Sequence, residues 1–211
     1  MALKFYTKIS GINNLSDARY CAGMGVDILG FNLEKDNANY IDALKYTAIT
    51  EWLSGVTYCA EFENSTTDQI LMALKQYPKV SYVQISDIQL VSSLTRLEPE
   101  IIVKLPISVL AGSHDGLRKI LESTHYQVKY YLIEDDLNIL DDDLLDRAIE
   151  LSNQYPILLG FGLNQHNIHS VMEKSKLKGI ALRGGNEIKP GYKDFDDLAD
   201  ILDAIEIDDT L

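Results

Sequence analysis

An α/β fold, closed as a single (β/α)8 TIM barrel of eight parallel strands and outer helices, is what this sequence predicts. Three observations lead there. Short β-rich runs alternate with amphipathic segments along the whole chain, the alternation occurs eight times, and no Ser/Gly-rich or Pro-rich linker interrupts it. With 211 residues, 46% of them apolar, the chain has the length of one domain spanning residues 1–211 and enough apolar side chains for one core. An open doubly wound sheet is the rival architecture, but it suits five or six units better than eight.

The first unit pairs a strand over Leu3–Ile9 with a helix over Leu15–Met24. Asp27–Phe31 then precedes a helix over Ile41–Leu53, and Val56–Phe62 precedes one over Thr67–Gln76, with Trp52 and Leu71 expected on apolar helix faces. Val80–Ile85 leads into Ile88–Leu97, and Ile101–Leu105 leads into a fifth helical segment around Gly116–Glu122, the least regular of the set. Val128–Ile133 precedes Asp142–Asn153, Ile157–Gly160 precedes Gln165–Glu173, and Gly179–Leu182 precedes Phe195–Ile205. Closing eight such strands removes both exposed sheet edges and gathers eight loops around one opening, where ligands of such barrels sit.

Nineteen basic against thirty-two acidic residues give a formal charge of -13, which opposes binding to nucleic acid or to an anionic membrane. The opening residues carry Lys4 and no long apolar run, so neither a signal peptide nor a membrane span is read there, and a cytoplasmic protein, monomeric or homodimeric, is expected. Cys21 and Cys59 are read as buried free thiols.

Strand one ends in Lys8-Ile9-Ser10-Gly11, and the two-residue strand period puts Lys8 and Ser10 on one face. If that face is the lumen, both approach the mouth. The plainer alternatives are a buried Lys8 paired to a carboxylate and a turn or helix-entry role for Ser10.

These residues open a resemblance that spans nearly the whole chain. Lys8-Ile9-Ser10-Gly11-Ile12, Asp17-Ala18, Gly25-Val26-Asp27, Gly30-Phe31, Val83-Gln84-Ile85, Gly160-Phe161-Gly162-Leu163-Asn164 with Asn167, and Pro190-Gly191-Tyr192-Lys193-Asp194 follow one another as in phosphoribosylanthranilate isomerase. The resemblance implies an Amadori isomerisation in tryptophan synthesis that requires no metal or organic cofactor. One group opens the furanose ring as a general acid, and another takes the proton from the adjacent sugar carbon as a general base. The family uses a cysteine and an aspartate for these tasks. Here the cysteine position is Ser10 and the aspartate position is Glu134, or Asp135 if the register slips. Glu134 is read as the acid, and the base is left among Ser10, Lys8 and a neighbouring carboxylate.

The chain departs from the family elsewhere. Asn39 replaces the arginine that meets the anthranilate carboxylate, Ser86-Asp87 a His-Gly pair, and Ala181 an aspartate on strand eight, while acidic sequence replaces a glycine-rich loop after strand six. These departures motivate a second reading, a catalytically inactive or repurposed paralogue that binds a phosphorylated metabolite or a partner protein. The phosphate end is closer to the family pattern. Gly160 and Gly162 follow strand seven, and Arg183, Gly184 and Gly185 follow strand eight, so glycine N–H groups, a helix N-terminus and the Arg183 guanidinium are expected to hold a ligand's phosphate.

The acidic run from Glu134 to Asp146 lacks the spaced ligands and glycine of a calcium loop and reads as solvated residues and helix capping. His166 and His169 lack further ligands for a metal.

Overall fold

The computed structural model describes residues 2–135, 140–183, 187–189, 192–193 and 196–207. Eight parallel strands close into a barrel in sequence order, with β1 joined to both β2 and β8. They are β1 Thr7–Ser10, β2 Ile28–Asn32, β3 Thr57–Phe62, β4 Val80–Ile85, β5 Glu100–Pro106, β6 Val128–Glu134, β7 Ile157–Gly160 and β8 Gly179–Arg183. Among the helices between them are α1 Leu15–Gly23, α2 Ala43–Thr50, α3 Thr67–Leu74, α4 Val91–Leu94, α5 Ser108–Ala111, α6 His114–Thr124, α7 Asp142–Ser152 and α8 Ile168–Glu173. A small antiparallel pair, β9 Glu187–Lys189 and β10 Tyr192–Lys193, precedes α9 Asp196–Ala204. Among the described residues no helix is long and apolar enough to cross a membrane.

The strand period divides the apolar residues into two cores. Ile9, Phe31, Tyr58, Phe62, Val83, Val103, Tyr131 and Leu159 face the helices and form the larger cluster. Ile28, Cys59, Tyr82, Ile102, Leu132, Leu158 and Ala181 face inward and fill the barrel. With both faces of every strand covered, a charged residue in a strand has to point at something that accepts it.

The observed elements correct the expected ones where side chains compete with the helix. β1 starts at Thr7 rather than Leu3, and Leu3 instead forms an isolated bridge to Glu206. The helix expected over Ile88–Leu97 is reduced to a 3-10 turn at Ile88–Leu90 and the single turn of α4. Asp87 caps the Gln89 N–H, while the Ser93 and Thr95 hydroxyls donate back to the carbonyls of Leu90 and Ser92, offering the backbone alternatives to a regular helix. Trp52 does not lie on an apolar face: α2 ends at Thr50, and Trp52 in the following turn is 74% exposed. The helix expected from Gln165 begins at Ile168.

Candidate active site

Two residues beyond five of the seven inward residues, toward the C-terminal strand ends, the lumen turns polar, and beyond the other two, Ile28 and Leu158, it has Gly30 and Gly160. Glu61 follows Cys59, Gln84 follows Tyr82, Lys104 follows Ile102, Glu134 follows Leu132 and Arg183 follows Ala181, all on the same strand face as their apolar partner. β1 adds Lys8 and Ser10.

Lys8 is fully buried and stands in register between Ile28 and Ala181. Its Nζ donates to Glu61 Oε1 at 2.5 Å and to Ser10 Oγ at 2.6 Å. The second Glu61 oxygen accepts the Gly11 N–H at 3.2 Å. Burial alone would depress the Lys8 pKa, but the charge of Glu61, with smaller contributions from Cys59 and Glu134, outweighs it, so Lys8 lies above its ordinary value and stays an ammonium. Gly30 is part of this arrangement, because a Cβ there would fall 2.0 Å from Glu61 Oε1 and 3.0 Å from Lys8 Nζ. Only a residue without a side chain leaves that space to the ion pair.

Across the lumen Glu134 is also buried. Arg183 grips it in bidentate fashion, Nε to Oε1 at 2.8 Å and Nη2 to Oε2 at 3.0 Å, and the Lys104 ammonium lies 3.6 Å from Oε2. Burial favours the neutral acid, but the Arg183 hydrogen bonds and the charges of Arg183, Lys8 and Lys104 prevail and hold Glu134 below the usual carboxylate range. Lys104 continues to Glu63 at 2.8 Å, beside a cleft of about 530 Å3 lined by Glu63, Asn64, Thr66, Asp87 and Leu90. Gly160 makes room for Glu134, whose Cβ and Cγ would lie 3.2 Å from an added Cβ. Gln84 is 3% exposed, and its side-chain oxygen has no hydrogen-bond partner among the described residues.

The fold therefore brings Lys8, Ser10, Glu134, Gly160 and Arg183 to one end of the lumen. Gly162 lies just beyond, in the loop after β7, with a φ of 66° that favours glycine. In that loop Asn164 and Asn167 side chains already accept the N–H groups of Asn164, His166 and Asn167. Gly184, Gly185, Asn186, Pro190, Gly191, Asp194 and Asp136 lie outside the described residues. Asn39 is exposed in the loop between β2 and α2, where its N–H donates to the Asn37 side chain, and Ala181 belongs to the inner apolar layer. Cys21 and Cys59 are buried and in no disulfide among the described residues, and burial pushes the Cys59 thiol up to about 12. Asp141 caps α7, as its position suggests. Among the described residues no group of three or more His, Cys, Asp or Glu is placed to hold a metal ion.

Sequence reasoning missed Glu61 and Lys104. The signal was present, since each is a lone charge in an apolar strand, Cys59-Ala60-Glu61-Phe62 and Ile101-Ile102-Val103-Lys104-Leu105.

A closed parallel barrel with balanced charges at the carboxyl ends of its strands belongs to the class of (β/α)8 proteins whose chemistry sits at that mouth. No family model matches the chain. It is 26% identical over 204 residues to the N-(5'-phosphoribosyl)anthranilate isomerase of Chloroherpeton thalassium, covering 91% of each chain. It is 23% identical over 221 residues to the enzyme of the same name from Sulfurihydrogenibium sp. (strain YO3AOP1), covering 94% of this chain and 98% of that one. The crystal structure of phosphoribosyl anthranilate isomerase from Thermotoga maritima superposes with a TM-score of 0.76 at 20% identity, over 95% of this chain and 98% of that one, a likeness of fold. Over more than nine-tenths of its length the chain is thus distantly similar to N-(5'-phosphoribosyl)anthranilate isomerases.

Proposed function

We propose that this protein isomerises a phosphorylated amino sugar of the phosphoribosylanthranilate type, an aldose-to-ketose rearrangement in tryptophan synthesis. The observation that carries this reading is the placement of Ser10 at the end of β1 and Glu134 at the end of β6, both turned into one lumen. The reaction moves protons within one molecule, so it asks for one donor and one acceptor on the two sides of a bound sugar. Ser10, Lys8 and Glu134 supply them. Gly160, Gly162, Arg183, Gly184 and Gly185 are the proposed phosphate end.

The test is turnover of freshly generated phosphoribosylanthranilate by the purified protein, with Ser10→Ala and Glu134→Ala as controls for host enzyme. Turnover lost in both variants is the expected result. Folded protein without turnover would overturn the reading.

A second reading is a paralogue that binds a phosphorylated metabolite without this chemistry. It is favoured by the engagement of Arg183 with Glu134 and by exposed Asn39 standing where the family has an arginine. Growth of a tryptophan auxotroph lacking the isomerase, restored by this chain, decides between the two.

A further inference from the structure

We propose that the lumen is polarised for proton transfer with Ser10 as donor and Glu134 as acceptor, and that Glu61 is the positioning residue that fixes this direction by holding the Lys8 ammonium against the Ser10 hydroxyl. The proposal rests on the isomerase reading of the site and reverses the roles that the family resemblance implies for the ends of β1 and β6.

The geometry on the Ser10 side is one-directional. Ser10 Oγ accepts from Lys8 Nζ at 2.6 Å, and its own hydrogen is committed to no other hydrogen bond among the described residues. Lys8 is fully buried, so it reaches a ligand through a partner, and of its two partners Ser10 is the one that carries a proton to hand on. Its second partner is Glu61 at 2.5 Å, an acceptor whose other oxygen is anchored on the Gly11 N–H. A serine placed beyond an ammonium passes protons outward. It cannot draw them in while the lysine remains charged.

The Glu134 side is wired the opposite way. Both oxygens accept from the Arg183 guanidinium, and Lys104 and Lys8 add positive charge from β5 and β1. A carboxylate surrounded in this way has no proton to give. Arg183 is 40% exposed while Glu134 is 2% exposed, so the guanidinium is the partner an incoming anionic ligand meets first, with an already ionised carboxylate behind it.

The steps then balance. As the bond between the sugar C1 and the ring oxygen breaks, its electron pair stays on oxygen, which takes the Ser10 proton, and Ser10 takes one from Lys8. The nitrogen lone pair forms the C1 iminium. Glu134 removes the proton from C2, and that electron pair makes the C1–C2 double bond and neutralises the nitrogen. When the enol amine becomes a ketone, C1 gains a proton from Glu134 and the enol oxygen returns one to Lys8 through Ser10. Both groups end as they began.

The ionisation states are read directly by NMR titration of the intact protein labelled at Glu Cδ and Lys Nζ. Lys8→Met, Glu61→Gln and Glu134→Gln assign the signals. Lys8 should remain an ammonium, and Glu134 an anion, across the whole range from pH 6 to pH 9, expected from their charged partners. A neutral Glu134 or an uncharged Lys8 in that range would overturn the proposal whether or not the protein turns over substrate. Where turnover is present, Glu61→Gln should lower kcat by about a hundredfold with little change in KM, and should move the alkaline limb of the pH profile to lower pH. Glu61→Asp should restore part of it. If Glu61→Gln does not fold, the paired variant Lys8→Met/Glu61→Leu takes its place, and undiminished turnover by that variant defeats the donor assignment. Charged Lys8 and Glu134 without turnover would remove the isomerase reading and leave the polarity of the lumen standing.

Discussion

The two ends of the barrel lumen are built on opposite principles. Toward the N-terminal ends of the strands, Tyr6, Tyr82 and Tyr130 cluster with ring centroids about 6 Å apart, Tyr6 and Tyr82 sharing a hydroxyl contact of 3.3 Å, and the apolar layer of Ile102, Leu132 and Leu158 lies above them. Toward the C-terminal ends, three cations and three carboxylates interlock through Lys8, Glu61, Lys104, Glu63, Glu134 and Arg183. Burial stabilises the first end directly. At the second end, desolvation offsets much of the attraction, so its charges are held for what they do to a ligand more than for stability.

The largest effects should come from breaking the charged end on one side only. Glu61→Leu leaves the Lys8 ammonium buried without its carboxylate and should cost about 3–5 kcal/mol in chemical denaturation. Adding Lys8→Met should recover most of that loss, since a well-packed apolar pair of similar volume is often as stable as the ion pair. Leu132→Ala in the apolar layer should cost a comparable amount, about 2–5 kcal/mol, but no second substitution at a charged position should rescue it. Rescue of the cavity and not of the charge would reverse the comparison.

Overpacking sharpens it further. A Cβ at Gly179 would lie 2.1 Å from the Tyr6 carbonyl oxygen, which is backbone and has little freedom to move, so Gly179→Ala should cost about 1–3 kcal/mol, read as a lowered thermal midpoint.

The pH dependence of stability should come from the charged end. Glu134 has a folded pKa below the ordinary 4.5, so its stabilising contribution is complete above 4.5 and is lost as pH falls through the folded value. Lys8 lies above the ordinary 10.5, so its contribution is complete below 10.5 and is lost as pH rises through the folded value. Denaturation midpoints measured from neutral pH down to about pH 3 should fall less in Arg183→Ala than in the parent. An unchanged acid slope would mean that Arg183 does not hold Glu134 ionised. The smallest effect belongs to the helical shell, where Trp52→Gln should stay within about 0.5 kcal/mol. As the sole tryptophan, Trp52 should report solvent-exposed fluorescence in the folded protein.

The eightfold alternation and the approximate place of each strand are legible in the sequence, because they follow from periodicity and local pattern. Gly160 and Arg183 are legible from their places after strands seven and eight, and Ser10 and Glu134 from the family resemblance, but the sequence leaves more undetermined. It did not reveal where the helices would stop, since the Ser and Thr hydroxyls of α4 and the turn after α2 act through bonds that pattern does not encode. Nor did it reveal which charge would meet which. Lys8 and Glu61 are 53 positions apart and Glu134 and Arg183 are 49 apart, and only the closed barrel brings the members of each pair together in one lumen. Protonation follows from those neighbours and from burial, so the direction in which the site can move a proton is decided by the tertiary structure.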